Sequence, residues 1–141
     1  MQLWSLRRAW EDLSRAWVVA SFEESDARSL LSGERLVFAH EPTARNARNA
    51  IRNTFLAWRL LSRVRPSTIV TTGAAVAVPF AWLGRLRGIR VVYVESLART
   101  QQPSLSCRLV APVANRVYVQ WPELVARVRG ARYAGTVFSV E

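Results

Sequence analysis

The stretch IVTTGAAVAVPFAWLGRLRGIRVVYVE, residues 69–95, decides the fold of this chain. An apolar strand at residues 67–72 runs into Gly73. Small residues then begin a helix that ends near Gly88, and a second apolar strand follows at residues 89–94. Both strands are continuous runs of Val and Ile without alternation of apolar and polar residues. That pattern is typical of parallel strands whose two faces are both covered by helices.

The same alternation of strand and helix continues on both sides of this unit. The residue patterns predict further strands at residues 16–22, 35–39, 116–119 and 132–134, and helices at residues 23–31, 47–64, 104–115 and 122–129. We therefore predict one α/β domain over residues 1–141, with a Rossmann-like parallel sheet and helices on both faces. The chain opens with an amphipathic pattern at residues 1–13, so a helix stands where such a domain normally has a strand.

Composition favours an anionic partner. The net charge is +10, and all 20 residues counted as Lys or Arg are Arg. A membrane face, a nucleic acid or a phosphorylated substrate would suit this charge, and a generally basic protein is the alternative. The one cysteine, Cys107, and the one histidine, His40, lack the spacing of a zinc site, so we predict no metal and no cofactor. The longest charge-free run, residues 66–84, contains threonines and prolines and is interpreted as strand, loop and helix instead of a membrane span.

Two segments could form a ligand site. Gly73 and Ala74 permit close approach to the backbone at a helix N-terminus, although small residues there also suit packing of the helix on the sheet. Glu95, with Ser96 and Arg99 after it, follows a strand at the edge where open parallel sheets bind ligands. Glu95 could act as a general base or hold a sugar hydroxyl. Alternatively, it pairs with Arg99 or caps the next turn.

A third segment carries a stripe of arginines. The spacing places Arg45, Arg48, Arg52, Arg59 and Arg63 on one side of the helix at residues 47–64 and its preceding loop. We predict that Leu56 and Leu60 are exposed beside the stripe, and that Ile51, Thr54, Phe55, Trp58 and Leu61 face the core. Arginines beside exposed leucines suit an anionic membrane surface. A nucleic-acid backbone is the competing partner, and a solvated helix face is the simplest alternative.

Four stretches together resemble one protein family. TTGAAVAVPF, VVYVESLARTQQPSLS, RLVAPVANRVYVQWPEL and YAGTVF occur in this order. They are similar to the glycosyltransferase subunit family typified by asparagine-linked glycosylation protein fourteen, in its bacterial capsule and exopolysaccharide branch. The resemblance implies the fold of the N-terminal half of a GT-B glycosyltransferase. It also implies a peripheral position on the cytoplasmic face of the cell membrane, where the chain binds a polyprenyl-diphosphate-linked sugar.

The resemblance further implies a separate donor-binding subunit, with which this chain would transfer a sugar from a UDP-sugar to the lipid-linked acceptor. A membrane adaptor that recruits the catalytic partner and does no chemistry is the alternative. No nucleic acid is then expected. Carried over to this sequence, the cleft residues are Gly73, Ala74, Glu95, Ser96, Arg99, Ser104 and Ser106, with Glu95 as the catalytic candidate. The family opens with an apolar strand and a loop ending in Gly-Gly-His, which residues 1–13 do not contain. We therefore expect a start about 10–20 residues upstream.

Overall fold

Helices and strands alternate along the chain in the computed structural model, which describes residues 2–20, 24–41 and 46–137. The strands are β1 (Ala16–Ala20), β2 (Arg35–Ala39), β3 (Thr68–Thr71), β4 (Arg90–Val94), β5 (Arg116–Val119) and β6 (Ala131–Tyr133). The helices are α1 (Gln2–Ser5), α2 (Glu24–Leu30), α3 (Ala47–Val64), α4 (Ala77–Leu86) and α5 (Leu105–Val110). Strands β2 and β5 and helix α3 have the bounds that the sequence predicts.

All described strand pairs are parallel, as the continuous Val and Ile runs predict. They form two sheets. Strand β1 pairs with β2, and a separate four-stranded sheet has the order β3-β4-β5-β6. The register is regular; Ile69 of β3 stands opposite Val91 of β4, for example. Helix α4 connects β3 to β4 and α5 connects β4 to β5, so the carboxyl ends of these three strands meet at one edge.

Helices cover both faces of the strands. In β1, Trp17 and Val19 are buried against Ala27 and Leu31 of the α2 segment. Val18, whose side chain points the other way, packs against the cluster formed by α3 and α4. The largest cluster lies between the four-stranded sheet, α4, α5 and the segment at residues 122–128.

Residues 2–13 differ from the single helix predicted at residues 1–13. Helix α1 ends at Ser5, and a 3-10 turn follows at Arg7–Ala9. The guanidinium group of Arg15 donates to the carbonyl oxygens of Trp10, Glu11 and Leu13. These carbonyls are thereby satisfied by a side chain instead of by a further helical turn.

Two predicted helices near the end of the chain are also different. The helix predicted at residues 104–115 ends at Val110, because Val113 and Ala114 both donate to the Val110 carbonyl in a closing turn. Pro112 lies in this turn, and its ring cannot continue the helical hydrogen bonding. The segment Pro122–Arg127 is a 3-10 helix, shorter and more tightly wound than predicted.

Candidate functional site

The candidate site lies where β4 ends. Val91, Tyr93 and Glu95 alternate along this strand and its end, and all three are fully buried on the same face. The backbone N–H of Glu95 donates to the Tyr118 carbonyl at 2.8 Å, so Glu95 continues the β4–β5 ladder for one more residue. The sequence prediction that Glu95 stands at the carboxyl edge of the sheet therefore agrees with the structure.

The carboxylate of Glu95 is tied to the loop that follows it. Its Oε1 accepts from the Ser96 N–H at 2.8 Å, and its Oε2 accepts from the Ser104 N–H at 2.8 Å. The Ser104 hydroxyl lies 3.0 and 3.1 Å from the two oxygens. Each carboxylate oxygen thus has a backbone donor, which is how a buried carboxylate is stabilised. In this geometry Glu95 closes the loop between residues 96 and 103.

Tyr93 completes this network, and the sequence interpretation did not single it out. Its hydroxyl oxygen lies 3.1 Å from the Ser104 hydroxyl and 3.4 Å from Oε1 of Glu95. Burial raises the pKa of the Tyr93 phenol well above its ordinary value, and the negative charge of Glu95 adds to the rise. A lone hydroxyl within the Val run of β4 is the sequence signal that could have identified it.

Gly73 lies directly against Tyr93. A Cβ atom placed on Gly73 would stand 2.7 Å from the Tyr93 hydroxyl oxygen and 3.7 Å from the Cβ of Ser106. The φ of Gly73 is +107°, a conformation that side chains disfavour. The structure therefore brings Gly73, Glu95 and Ser104 together around the Tyr93 hydroxyl, with Ser106 beside Gly73.

The loop after Gly73 presents backbone to solvent. Ala74 has a φ of +67°, unusual for a residue with a Cβ, and both Ala74 and Ala75 are exposed. The N–H of Gly73 is satisfied by the Thr71 hydroxyl at 3.1 Å. Helix α4 begins at Ala77 without a side-chain cap, and the N–H groups of Ala77 and Val78 donate to the carbonyl oxygens of Ala74 and Ala75.

Helix α5 begins beside Glu95. Ser104 is its N-cap, and the Ser104 hydroxyl accepts from the Cys107 N–H at 3.0 Å. Cys107 is fully buried in the main core cluster. Burial raises the pKa of the Cys107 thiol to about 12, and the nearby Glu95 charge contributes. Cys107 is thus a packed thiol.

Arg99 stands apart from the carboxylate. Its side chain is exposed, while its N–H donates to the Ser96 carbonyl at 3.0 Å within the loop. The Glu95 carboxylate instead accepts from the N–H groups of Ser96 and Ser104 and from the Ser104 hydroxyl. The sequence left two structural roles open for Glu95, pairing with Arg99 or capping the next turn. Pairing with Arg99 is not observed, whereas the Glu95 carboxylate does accept from the N–H of Ser104, the N-cap residue of α5.

Two residues outside the predicted set also hold the loop. The side-chain amide of Gln2 donates to the Glu95 carbonyl and accepts from the Leu97 N–H, both at 3.0 Å. The indole N–H of Trp121 donates to the Leu97 carbonyl at 2.8 Å. These contacts join the first helix and the end of β5 to one loop, a relationship that sequence spacing does not reveal.

The arginine stripe of α3 has the predicted exposure, but its apolar neighbours do not. Arg48, Arg52, Arg59 and Arg63 are exposed; Arg45 lies outside the described residues. Leu56 and Leu60 are half-buried against the cluster of α3 and α4, so their predicted exposure is wrong. The residues predicted to face the core are Ile51, Thr54, Phe55, Trp58 and Leu61; all except Leu61 are exposed.

The core-facing side of α3 carries small and polar residues, which explains this difference. Asn49, Asn53, Ala57 and Leu61 are its buried residues. The Asn53 amide accepts from the His40 N–H at 2.8 Å and donates to the His40 carbonyl at 2.9 Å. Because Asn53 must reach this backbone, the helix is turned so that Phe55 is 71% exposed.

Exposed apolar residues continue from α3 across the neighbouring helices. The guanidinium carbon of Arg87 lies 4.0 Å above the Trp58 ring, and the Trp82 indole donates to the Leu109 carbonyl at 3.0 Å. We call the following set the apolar–arginine face: Arg48, Ile51, Arg52, Phe55, Trp58, Arg59, Arg63, Trp82, Leu86, Leu105 and Leu109. Its apolar members are all at least 44% exposed.

Neither a metal centre nor a membrane-spanning helix is found in the described part of the chain. The described His, Cys, Asp and Glu side chains do not cluster in groups of three or more that could hold an ion. No described helix has both the length and the apolar character needed to cross a bilayer.

Comparison with solved structures shows the class of fold. The chain superposes on the crystal structure of Acinetobacter baumannii MurG with a TM-score of 0.73, at 14% sequence identity, over 94% of this chain and 40% of that one. The predicted parallel α/β fold, similar to a GT-B glycosyltransferase, is thereby confirmed.

Comparison with sequences shows the family. The profile described as "Oligosaccharide biosynthesis protein Alg14 like" matches residues 11–137. This chain belongs to that family.

Named relatives agree with this assignment. The chain is 40% identical over 102 residues to "UDP-N-acetylglucosamine transferase subunit ALG14" of Eremothecium gossypii, a match that covers 64% of this chain and 46% of the relative. It is 26% identical to the Mus musculus protein of the same description, over 87% of this chain and 70% of that protein. The chain thus spans less than half of the first of these relatives.

Proposed function

We propose that this chain is the acceptor-binding subunit of a two-subunit glycosyltransferase. A separate donor-binding subunit would hold UDP-N-acetylglucosamine, and the sugar would pass to a polyprenyl-diphosphate-linked sugar held by this chain. The observation that carries the proposal is the family match over residues 11–137, together with relatives described as UDP-N-acetylglucosamine transferase subunits. We further propose that the acceptor binds beside the carboxyl-edge cluster around Tyr93.

We assign the diphosphate of the acceptor to the loop after Gly73. Ala74 and Ala75 are exposed there, so a ligand can approach the backbone of this loop closely. Arg99 is exposed on the neighbouring loop and offers a mobile positive charge to the same edge. Ser96, Ser104 and Ser106 are half-buried between these two loops and would contact the sugar.

The geometry of Glu95 favours positioning over proton transfer. Its side chain is fully buried, and both oxygens accept backbone N–H groups. A general base must come within about 3 Å of the proton it removes. We therefore propose that Glu95 holds the loop carrying Ser96 and Arg99, and that proton transfer by Glu95 would require this loop to open first.

The apolar–arginine face supports a position at the membrane surface. Phe55 and Trp58 would enter the interface between headgroups and acyl chains, while Arg52 and Arg59 would contact lipid phosphates. Helix α3 contains no acidic residue to oppose this contact. The cytoplasmic leaflet is the anionic one in cells, which suits the charge of the chain.

Co-expression tests the proposal. The chain is produced with the donor-binding subunit encoded in the same genome, and transfer to polyprenyl-diphosphate-linked sugar is measured with a panel of radiolabelled UDP-sugars. We expect transfer from UDP-N-acetylglucosamine when both subunits are present, and none from either alone. Transfer by the partner alone at the same rate would overturn the proposal.

Membership of the bacterial capsule and exopolysaccharide branch stays a prediction. Deletion of the gene tests it, and loss of surface polysaccharide is the expected result. Salt-sensitive retention of DNA or RNA, without binding to lipid vesicles, would favour the nucleic-acid alternative.

A further inference from the structure

A cleft opens where α3 and α4 end and where β3 and β4 begin. Its volume is about 370 Å³, in the lower part of the range found for small-molecule sites. Its lining residues are Leu61, Ser62, Arg65, Pro66, Arg87 and Ile89. Because these residues precede the amino ends of the two strands, the cleft lies at the edge of the sheet opposite Tyr93 and Glu95. It is therefore separate from the proposed acceptor site.

The part of the chain that builds this cleft carries arginines without acidic residues. Residues 42–94 contain nine Arg and no Asp or Glu, and they supply α3, β3, α4 and β4. Two of these arginines, Arg65 and Arg87, line the cleft. Unbalanced positive charge around a cleft raises the local concentration of anions. The charge of the cleft is thus suited to an anionic ligand.

Arg87 is held in place by Trp58. Its guanidinium carbon lies 4.0 Å from the centroid of the Trp58 ring, and its Nη1 donates to the Trp58 carbonyl at 3.3 Å. A guanidinium group has five N–H donors in one rigid plane, so others can meet two oxygens of a phosphate group at once. Because the ring already fixes that plane, Arg87 loses less freedom when an anion binds.

Arg65 adopts a backbone conformation that glycine would adopt more easily. It is the C-cap of α3, with a φ of 47° and a ψ of 56°. This left-handed conformation is unfavourable for a residue with a Cβ, and helix ends of this kind usually carry Gly. A guanidinium group therefore stands where backbone stability alone favours glycine. Backbone strain of this kind is concentrated at ligand sites.

The carbonyl groups at the ends of the two helices are occupied. Free carbonyls at a helix C-terminus carry partial negative charge, which would repel an anion. Here the Leu61 carbonyl accepts from the Arg65 N–H at 3.1 Å, and the N–H of Arg87 closes the last turn of α4. The Trp58 carbonyl accepts from the Ser62 hydroxyl at 2.7 Å as well as from Arg87. With these carbonyls paired, the two guanidinium groups dominate the potential in the cleft.

The remaining lining residues are mainly apolar. Leu61 and Ile89 belong to the buried cluster beneath α3 and α4, and Pro66 is half-buried. The cleft also adjoins the apolar–arginine face, because Trp58 of that face stacks on Arg87. Two cationic groups beside an apolar surface suit a phosphate ester that carries a hydrocarbon part.

We propose that this cleft binds the headgroup phosphate of an anionic phospholipid. Arg65 and Arg87 would donate to the phosphate oxygens, while the glycerol and the first acyl carbons would contact Leu61, Pro66 and Ile89. The inference rests on the membrane contact proposed above and adds to it a site for one lipid molecule. Such a lipid would hold the carboxyl-terminal end of α3 at the membrane surface.

Binding of a monomeric short-chain lipid tests the cleft without a membrane. Dihexanoyl phosphatidylglycerol, below its micelle concentration, is titrated into the protein by calorimetry. Glycerol phosphate and inorganic phosphate are the soluble anions without acyl chains. The variants are Arg65→Gly and Arg87→Gln, and the matched control is Arg63→Gln, an exposed charge of α3 outside the cleft lining. Because glycine suits the φ of residue 65, Arg65→Gly should melt no lower than the unmodified chain.

We expect Arg65→Gly and Arg87→Gln each to weaken lipid binding by about tenfold, through loss of charge-assisted hydrogen bonds. Arg63→Gln should weaken it by about twofold at most. Arg87→Lys keeps the charge without the stacked plane and should behave like Arg87→Gln. Equal affinity in the unmodified chain, Arg65→Gly and Arg87→Gln would overturn the proposal. Inorganic phosphate binding as tightly as the lipid would overturn the assignment to a phospholipid.

The cleft and the membrane contact can fail separately. If the short-chain lipid binds through Arg65 and Arg87 but the protein does not sediment with phosphatidylglycerol vesicles, the cleft is supported and the membrane contact of α3 is wrong. If the protein binds vesicles while all variants bind the short-chain lipid alike, the cleft is overturned and the membrane contact is supported. Neither measurement depends on sugar transfer.

Discussion

The N–H of Ser104 donates to Oε2 of Glu95 at 2.8 Å, across a separation of nine residues. This bond joins the end of β4 to the first turn of α5 and brackets the loop with Ser96 and Arg99. The Ser104 hydroxyl, in contact with Tyr93, is the N-cap of the same helix. Ser104 thus holds both the end of the loop after β4 and the N-terminus of α5.

Glu95→Gln should destabilise the protein by about 1–3 kcal/mol, because an amide NH2 would replace one of two oxygens that accept buried backbone donors. Urea unfolding measures the change. Glu123→Gln is the matched control, since Glu123 is exposed in the 3-10 segment. In the transfer assay, a positioning role predicts that Ser104→Ala reproduces much of the effect of Glu95→Gln on KM. Loss of kcat in Glu95→Gln with unchanged stability would instead show proton transfer.

Gly73→Ala should destabilise the protein because the new Cβ would clash with the Tyr93 hydroxyl. A new Cβ would approach the phenol oxygen to 2.7 Å and adopt an unfavourable φ, and backbone strain of this kind alone costs about 1–3 kcal/mol. The same substitution should cost less in a Tyr93→Phe background, which removes the clashing oxygen. A double-mutant cycle on unfolding free energies measures this coupling.

Gly88→Ala provides the control for strain without a clash. Gly88 has a φ of +74°, and no atom lies within 4 Å of its ideal Cβ. Gly88→Ala should destabilise the protein by the same amount whether residue 93 is Tyr or Phe. Additive effects of Gly73→Ala and Tyr93→Phe would show that contact with the Tyr93 hydroxyl is not what disfavours a side chain at position 73.

Phe55→Ser with Trp58→Ser should weaken binding to vesicles containing anionic lipid, because both rings are exposed on the apolar–arginine face. Arg59→Gln with Arg63→Gln should weaken it by about 1 kcal/mol per arginine and reduce its dependence on salt. Co-sedimentation with phosphatidylglycerol and phosphatidylcholine vesicles measures both effects. Tyr133→Ser, at an exposed ring on β6, is the control. Equal binding by all variants would contradict a membrane contact at α3.

Leu56→Ala should behave differently from the Phe55 and Trp58 substitutions. Leu56 is half-buried against the core cluster, so its truncation should lower stability and leave vesicle binding of the folded protein unchanged. A loss of binding without a loss of stability would show that the leucine side of α3 contacts the lipid.

Stability should fall at alkaline pH through Cys107. Folding raises the pKa of this thiol from 9.0 to about 12, so the folded state disfavours the thiolate. The contribution is fully present below about pH 9 and is lost between pH 9 and 12, with a slope of about 1.4 kcal/mol per pH unit for one group. Cys107→Ala should reduce that slope. Denaturant unfolding between pH 8 and 10.5 measures it, and an unchanged slope would contradict the assignment.

The sequence was sufficient to place strands and most helices, because uninterrupted Val and Ile runs between Gly-bearing turns specify buried parallel strands. It located Glu95 at the end of β4 for the same reason. The burial of the Glu95 side chain was not predictable, since the N–H groups that donate to its carboxylate come from Ser96 and from Ser104, nine residues later. Tyr93 escaped notice because its partners Gly73 and Ser104 belong to neighbouring segments of the sheet edge.

The face of α3 shows where sequence periodicity fails. A helical wheel assigns the largest apolar residues to the core, and this placed Phe55 and Trp58 inside. The buried side is instead chosen by Asn53, which pairs with the His40 backbone, and by Ala57, whose small side chain allows close packing. A polar residue that satisfies a buried backbone can thus outweigh several apolar residues in setting the rotation of a helix.

The division of the sheet also bears on how the molecule comes apart. Hydrogen-bond ladders transmit cooperativity between neighbouring strands, and in the described residues that continuity is interrupted between β1 and β3. The described connections there are side chains packed on α3 and the two Gln2 hydrogen bonds to the loop after β4. The β1–β2 layer can therefore open as a local unit while the four-stranded layer stays folded, so heating or pulling on the chain should release it in two stages.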